Sequence, residues 1–173
     1  MFFVLDNEFE DGELWKLREM LDLLDAKISE VNRLIEKSSD PDSEGLCDRG
    51  EYFIGVGFVA IQQYLVETII NTGLSKSEAY NLGPEHSFGG TSVSLISSCA
   101  NWWKHEPEWW GPRGIPKSGK ATFERVSSVT DSHTYQLSNV LATFSEDKAL
   151  SFIHVIPILE KWREDVYAVS KKA

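Results

Sequence analysis

A histidine and an asparagine four residues apart are the side chains of this 173-residue chain whose types and spacing best support chemistry. Asn101 and His105 lie in an apolar-rich segment with helical periodicity, so their side chains share one helix face. An imidazole acts as an acid or a base near neutral pH, and an asparagine amide can orient it or bind a phosphate or carbonyl oxygen. Lys104 lies beside them, and Arg113 in the following loop can add positive charge. We therefore take Asn101, Lys104 and His105 as candidate catalytic residues.

Tryptophans surround this pair. Four of the six tryptophans of the chain lie within residues 98–111, and they are Trp102, Trp103, Trp109 and Trp110. A tryptophan buries a large apolar area and needs a partner for its indole N–H group, and tryptophan is enriched among the residues that dominate interfaces. The cluster predicts either a firmly packed helix end or a binding surface. The four tryptophans and Arg113 are therefore candidate binding residues.

His105 also has a purely structural interpretation. A histidine near the C-terminal end of a helix complements the helix dipole and bonds the last carbonyl groups. Pro107 is expected to stop the helix, because the residue before a proline avoids the α region. The tryptophans would then fasten the next loop to the bundle. A ring exposed in a cleft beside Asn101 and a basic group favours catalysis, whereas a buried ring bonded to carbonyl groups favours the structural role.

The element that the sequence predicts most strongly is a long first helix over residues 13–37. Apolar residues alternate spacings of three and four there through three heptads, a pattern typical of a helix that packs along one seam. The seam comprises Leu14, Leu17, Leu21, Leu24, Ile28, Val31 and Ile35. It packs either inside a helical bundle or, alternatively, against a second copy of the chain.

The rest of the chain predicts further helices. Residues 51–71 are apolar on most sides, which is typical of a central helix. Residues 75–82 and 91–105 follow as helices, and after a loop over 107–119 a broken helix covers 120–129 and 132–144. A last helix is expected from Ser145, with Pro157 inside it. No run predicts a strand. The expected fold is an all-α, single-domain bundle of about five helices over residues 1–173.

Composition limits the function classes. The chain has 27 acidic and 17 basic residues, for a net charge of −10, which argues against a broad nucleic-acid surface but leaves room for a local basic site. The cysteines Cys47 and Cys99 predict free thiols in a reducing compartment. The N-terminus predicts neither a signal peptide nor a membrane span, and the apolar run over 53–70 is better explained by a core helix. We expect a cytoplasmic protein without membrane contact.

No metal or cofactor is expected. No two of the four histidines have a metal-ligand spacing such as four residues apart, and the chain lacks a P-loop and a dinucleotide fingerprint. The partner predicted by the tryptophan cluster is another protein or a second copy of the chain.

Residues 100–109, ANWWKHEPEW, resemble a motif of small uncharacterised bacterial all-α proteins, in which Ala-Asn, two aromatic residues, Lys-His, two further residues and Glu-Trp follow one another. The expected topology also resembles the HEPN superfamily of helical bundles, which are often dimeric. Many of them are metal-independent ribonucleases of toxin–antitoxin and phage-defence systems. This resemblance implies that His105 is the motif histidine. It also places an arginine at one of three positions, where this chain has Ser98, Cys99 and Ala100.

Three functions follow as hypotheses. The first is an interaction or regulatory protein without its own catalysis, and the resemblance implies a bacterial defence or toxin–antitoxin system. The second is a HEPN-like ribonuclease that uses His105 as acid or base with Asn101, and with Lys104 or Arg113 on the phosphate. The third is a small-molecule-binding bundle whose pocket is lined by Trp102, Trp103 and Phe88.

Overall fold

The chain folds as a short β-hairpin followed by helices that pack around a common core. The computed structural model describes residues 2–5, 8–87, 89–129, 134–145 and 149–172. Strands β1 (Phe2–Leu5) and β2 (Glu8–Asp11) pair antiparallel, with Phe2 opposite Asp11. Within the described ranges seven α-helices follow, and they are α1 (Gly12–Ile35), α2 (Leu46–Ile69), α3 (Lys76–Tyr80), α4 (Ser92–Trp109), α5 (Lys117–Ser127), α6 (Gln136–Thr143) and α7 (Ile156–Ser170). The all-α class is confirmed, with more helices than expected and with a hairpin that no pattern had indicated.

Helix α1 packs its heptad seam inside the chain. Its first turn is capped by Asp11, whose Oδ1 accepts a hydrogen bond from the Leu14 backbone N–H at 3.1 Å. The seam lies against α2 in the core, and its buried members are Leu14, Leu17, Leu21, Leu24, Ile28 and Val31. The first of the two alternatives for this seam, packing within a bundle, is therefore the one observed.

Helix α2 is the central helix. Its side chains Ile54, Phe58, Ile61 and Leu65 are all 1% exposed or less. Two glycines let neighbours approach its backbone closely, since a Cβ atom would lie 2.2 Å from the Trp103 ring at Gly55 and 2.2 Å from Phe152 at Gly57. By length and composition alone α2 could cross a membrane, but 56% of its most apolar window is buried in the fold, as a core helix requires.

Two prolines behave differently from their sequence-based expectations. The expected helix from Ser145 is wrong, because a 3₁₀ turn spans Phe152–His154 and α7 begins only at Ile156. Pro157 therefore occupies the first turn of α7, where its missing N–H group has no intrahelical partner to lose. The residues 146–148, with Lys148 of the expected first turn, lie outside the described residues, as do residues 132 and 133 of the expected helix over 132–144.

Pro107 was expected to stop α4, and this expectation is wrong. The helix continues to Trp109. Pro107 has no backbone N–H group, so the helix loses one hydrogen bond there. Only Glu108 and Trp109 follow it in α4. Trp109 is 3% exposed, so packing of its indole against α5 compensates for the lost bond. The connection between α4 and α5 is thereby shortened to residues 110–116.

Candidate functional site

Helices α4 and α5 enclose a cleft of about 340 Å³ that holds the predicted His105 and Asn101. Glu108 continues the same face of α4, and α5 contributes Ser118 and Thr122 from the opposite wall. The spacings of three and four residues on each helix place these side chains in two facing rows. The cleft is therefore a polar groove that is open to solvent.

Aromatic packing holds the two walls together. The ring of Trp102 stacks on Phe123 of α5 at a centroid distance of 5.4 Å, and Trp109 meets Trp102 edge-on at 5.5 Å. Gly119 allows the start of α5 to approach, since a Cβ atom there would lie 3.1 Å from the indole nitrogen of Trp109. The buried pair Trp102 and Trp109 thus positions α5 against α4, and Trp109 also lines the groove.

His105 is accessible in the cleft. Its side chain is 50% exposed, and its Nδ1 lies 3.6 Å from the Glu108 carboxylate, which is 73% exposed. This contact becomes an ion pair when the imidazole is protonated. His105 and Asn101 line the same open groove, which meets the first part of the criterion for catalysis. Among the described residues that line this groove there is no lysine or arginine.

Asn101 is held from behind by Gln62 of α2, a residue that the sequence reasoning did not select. The Gln62 amide nitrogen donates to Asn101 Oδ1 at 3.0 Å and to Ser97 Oγ at 3.0 Å, and the Gln62 side chain is buried. Lys104 Nζ donates to Gln62 Oε1 at 2.6 Å. Partial burial lowers the pKa of the Lys104 ammonium, and the charge of Lys76 lowers it further. Lys104 therefore acts on Asn101 through Gln62.

Arg125 is the second residue that sequence reasoning missed. It follows Ser118 and Thr122 on the same face of α5, and its Nη1 donates to Ser98 Oγ on α4 at 3.0 Å. The Ser98 hydroxyl donates in turn to the Ser94 carbonyl at 3.0 Å. Ser98 precedes His105 by seven residues, or about 10 Å of helix. The guanidinium thus contacts α4 about two turns before His105, at a residue that is not among those lining the cleft.

The other predicted cation lies elsewhere. Arg113 is exposed and lines a neighbouring depression that shares Glu108 and Pro116 with the cleft. The segment of the chain that forms the two walls of the cleft is nonetheless more basic than the chain as a whole. Residues 98–127 carry five bases and three acids, a net charge of +2, although the whole chain carries −10. A local site for an anion is therefore compatible with an acidic protein.

The four clustered tryptophans divide into different environments. Trp102 and Trp109 are buried, whereas Trp110 is 65% exposed. Trp103 packs on Gly55 and meets Tyr52 edge-on at 5.1 Å. Buried or half-buried tryptophans serve mainly to position α4, so Trp110 is the member most accessible to a partner.

A second cavity of about 330 Å³ adjoins Trp102 and Trp103 on the other side of α4. One of its acidic residues, Glu51, accepts hydrogen bonds from the backbone N–H groups of Leu137 and Ser138 at 2.7 and 2.9 Å. Burial raises the pKa of the Glu51 carboxyl against the effect of these bonds. Glu51 therefore serves to cap α6. Phe88, which had been assigned to a small-molecule pocket with these tryptophans, lies outside the described residues.

Metal ligands and known relatives add no further constraint. Within the part of the chain that the structure describes, no group of three or more His, Cys, Asp and Glu side chains is placed to hold a metal ion. Cys47 and Cys99 are free thiols. No family model matches the chain, and neither curated proteins nor solved structures show a match.

Proposed function

We propose that this chain is a HEPN-like ribonuclease that cleaves RNA without a metal ion and uses His105 as acid or base in the α4–α5 cleft. The observation that carries the proposal is the half-exposed His105 ring beside Asn101. Arg125 strengthens it, because the guanidinium contacts Ser98, one of the three positions at which the resemblance places an arginine. In this proposal Arg125 of α5 takes the role of the motif arginine, which α4 lacks.

The chemistry needs only proton transfer and charge stabilisation, since RNA carries its own nucleophile. Removal of the 2′-hydroxyl proton lets the 2′-oxygen attack the adjacent phosphorus. The bond to the 5′-oxygen breaks, and that oxygen takes up a proton, which leaves a 2′,3′-cyclic phosphate and a 5′-hydroxyl. A neutral imidazole accepts the first proton and an imidazolium donates the second. Donors such as Asn101 and Arg125 stabilise the charge on the phosphate oxygens.

The test is incubation of the purified protein with end-labelled RNA in the presence of a chelator. We expect the wild type to cleave, and His105→Ala to lose about 100-fold or more of the rate, as is usual for a lost acid or base. His154→Ala is the matched control, because His154 lies in the 3₁₀ turn before α7 and is expected to leave the rate unchanged.

Thermal unfolding separates the two interpretations of His105. A catalytic residue predicts lost cleavage with an unchanged melting temperature. A helix-end residue predicts instead a loss of about 1 kcal/mol of stability. An inactive wild type, or full activity in His105→Ala, contradicts the proposed ribonuclease.

A second candidate function is partner binding by an interaction or regulatory protein. It is favoured by Trp110, which is 65% exposed beside the cleft and contacts Phe123 edge-on at 6.4 Å. An exposed tryptophan on a rigid support is typical of residues that dominate interfaces. The partner would be another protein or a second copy of this chain, in the defence or toxin–antitoxin context that the resemblance implies.

A further inference from the structure

The hydrogen bonds behind the cleft run in one donor-to-acceptor direction, from Lys104 to Gln62 and from Gln62 to Asn101. An ammonium group has only donors, so the atom of Gln62 that lies 2.6 Å from Lys104 Nζ must be the amide oxygen. The orientation of the Gln62 amide is therefore set by chemistry and not by an arbitrary choice between oxygen and nitrogen. Its NH₂ group must point the other way, towards α4.

The same donor-to-acceptor direction continues from Gln62 to Asn101. The Gln62 nitrogen lies 3.1 Å from the Ser97 carbonyl oxygen and 3.0 Å from both Ser97 Oγ and the Asn101 side chain, so its two N–H groups are shared among three acceptors. Because an NH₂ group only donates, Asn101 must present its oxygen to Gln62. The NH₂ group of Asn101 is then left on the side of the cleft, which Asn101 lines. Gln62 is 7% exposed, so water does not compete readily for these bonds.

We infer that Gln62 is a positioning residue, which holds Asn101 with its NH₂ group towards the cleft so that this group binds an anionic phosphate oxygen. The identification of that phosphate as part of RNA rests on the proposed function. Arg125 contacts Ser98, three residues before Asn101, and protonated His105 adds a donor in the cleft four residues after Asn101. Among the residues that the structure describes, Glu108 is the one carboxylate that lines the cleft. It contacts His105, on the side of Asn101 away from Ser98 and Arg125.

The sharpest test is Gln62→Glu. The new carboxylate has nearly the same shape and can still accept the bond from Lys104, but it cannot donate to Asn101. We expect the Asn101 amide to turn over, so that its oxygen faces the cleft and repels a phosphate. The matched control is Gln63→Glu, which adds the same charge at the next residue of α2. Gln63 is exposed and donates to Glu67 at 2.8 Å, away from Asn101.

The measurement is the affinity for a short, fully 2′-O-methylated oligoribonucleotide, which keeps the phosphates but lacks the nucleophile. We expect Gln62→Glu to weaken binding about tenfold or more, the scale of a lost hydrogen bond to a charged group, and Gln63→Glu to stay within about twofold of the wild type. The Asn101 side-chain ¹⁵N resonance should shift with added inorganic phosphate in the wild type and in Gln63→Glu, but not in Gln62→Glu. A purely structural role for Gln62 would not remove that shift.

Asn101→Asp covers the case in which Gln62→Glu fails to fold. An aspartate still accepts the bond from Gln62, but it places a second carboxylate oxygen in the cleft. We expect it to melt near the wild-type temperature and to bind the oligonucleotide at least tenfold more weakly. Wild-type affinity in a folded Gln62→Glu or in Asn101→Asp overturns the inference, and so does a wild type that binds neither probe.

The inference and the proposed function fail in different ways. If the wild type binds both probes, Gln62→Glu abolishes binding and no RNA is cleaved, the ribonuclease proposal is wrong and the donor site stands. If RNA is cleaved equally by the wild type and by a folded Gln62→Glu, the ribonuclease stands and the role of Gln62 is wrong.

Discussion

Substitution of Gly57 by alanine tests the close packing on which the whole bundle depends. Gly57 lies on the central helix α2, and a Cβ atom there would be 2.2 Å from Cζ and 2.3 Å from Cε2 of Phe152. Carbon atoms in contact lie about 3.5–4.0 Å apart, so the added methyl group would overlap the ring by more than 1 Å. Phe152 is fully buried and meets Phe58 edge-on, so its ring cannot move aside without displacing the core.

The expected magnitude combines two opposing contributions. Overpacking in a closed core costs about 3 kcal/mol at the upper end of its usual range. Alanine is a better helix former than glycine by about 1 kcal/mol. We therefore expect Gly57→Ala to lose about 2 kcal/mol of the free energy of unfolding, or about 4–8 °C in melting temperature for a chain of this size.

Two other glycines of α2 provide comparisons. At Gly50 the nearest atom to an added Cβ would be Val31 Cγ1 at 3.7 Å, so Gly50→Ala should gain about 0.5–1 kcal/mol from helix propensity alone. At Gly55 the added Cβ would meet the Trp103 ring at 2.2 Å. Trp103 is only half-buried, so its ring can turn outward, and Gly55→Ala should cost less than Gly57→Ala.

The measurement is urea unfolding of the wild type and all three variants, with circular dichroism as the signal. The expected order of stability is Gly50→Ala, wild type, Gly55→Ala and Gly57→Ala. A Gly57→Ala protein within about 0.5 kcal/mol of the wild type, the range of ordinary surface changes, would show that Phe152 does not pack on α2 in the way described.

Two further predictions concern the N-terminal hairpin and the exposed tryptophan. Asp11 accepts hydrogen bonds from Arg163 at 3.0 Å and from Tyr64 at 2.9 Å, and both ends of the Asp11–Arg163 ion pair are less than 10% exposed. Asp11→Ala should therefore cost about 3–5 kcal/mol in urea unfolding because it leaves a buried guanidinium unpaired, and a cost below about 1 kcal/mol would contradict the buried pair. If Trp110 binds a second copy of the chain, the wild type should self-associate in sedimentation velocity. Trp110→Ala should then weaken this association about 30-fold. A wild type that stays monomeric at high concentration excludes a second copy as the partner.

The sequence predicts the long helices because their buried residues recur at helical spacings. The seam of α1 and the apolar surface of α2 lie where the periodicity places them. The strand pair β1 and β2 escaped prediction because strands of four residues are too short for a periodic signal. Part of what holds it is the pair of Asp11 with Arg163, which are 152 residues apart in the chain.

The two prolines show why a local rule is insufficient at a helix end. Pro107 continues α4 because the indole of Trp109, two residues later, packs in the core. Pro157 begins α7 because the first turn does not use its N–H group. Their local preferences are similar, so their different outcomes are decided by what the following turn packs against.

Only part of the candidate site could be predicted from the sequence, because the rest depends on packing between distant segments of the chain. Asn101 and His105 share a helix face through their spacing, which any helix imposes. Gln62 and Arg125 reach that face from α2 and α5, 39 residues before Asn101 and 27 residues after Ser98, so only the packing of three helices brings them together. That packing depends on glycines that admit tryptophan rings, since Gly55 receives Trp103 and Gly119 receives Trp109. The tryptophans that mark the site in the sequence thus act mainly by holding α4 between α2 and α5, which aligns polar side chains of α4 and α5 along the cleft and places Gln62 of α2 behind Asn101.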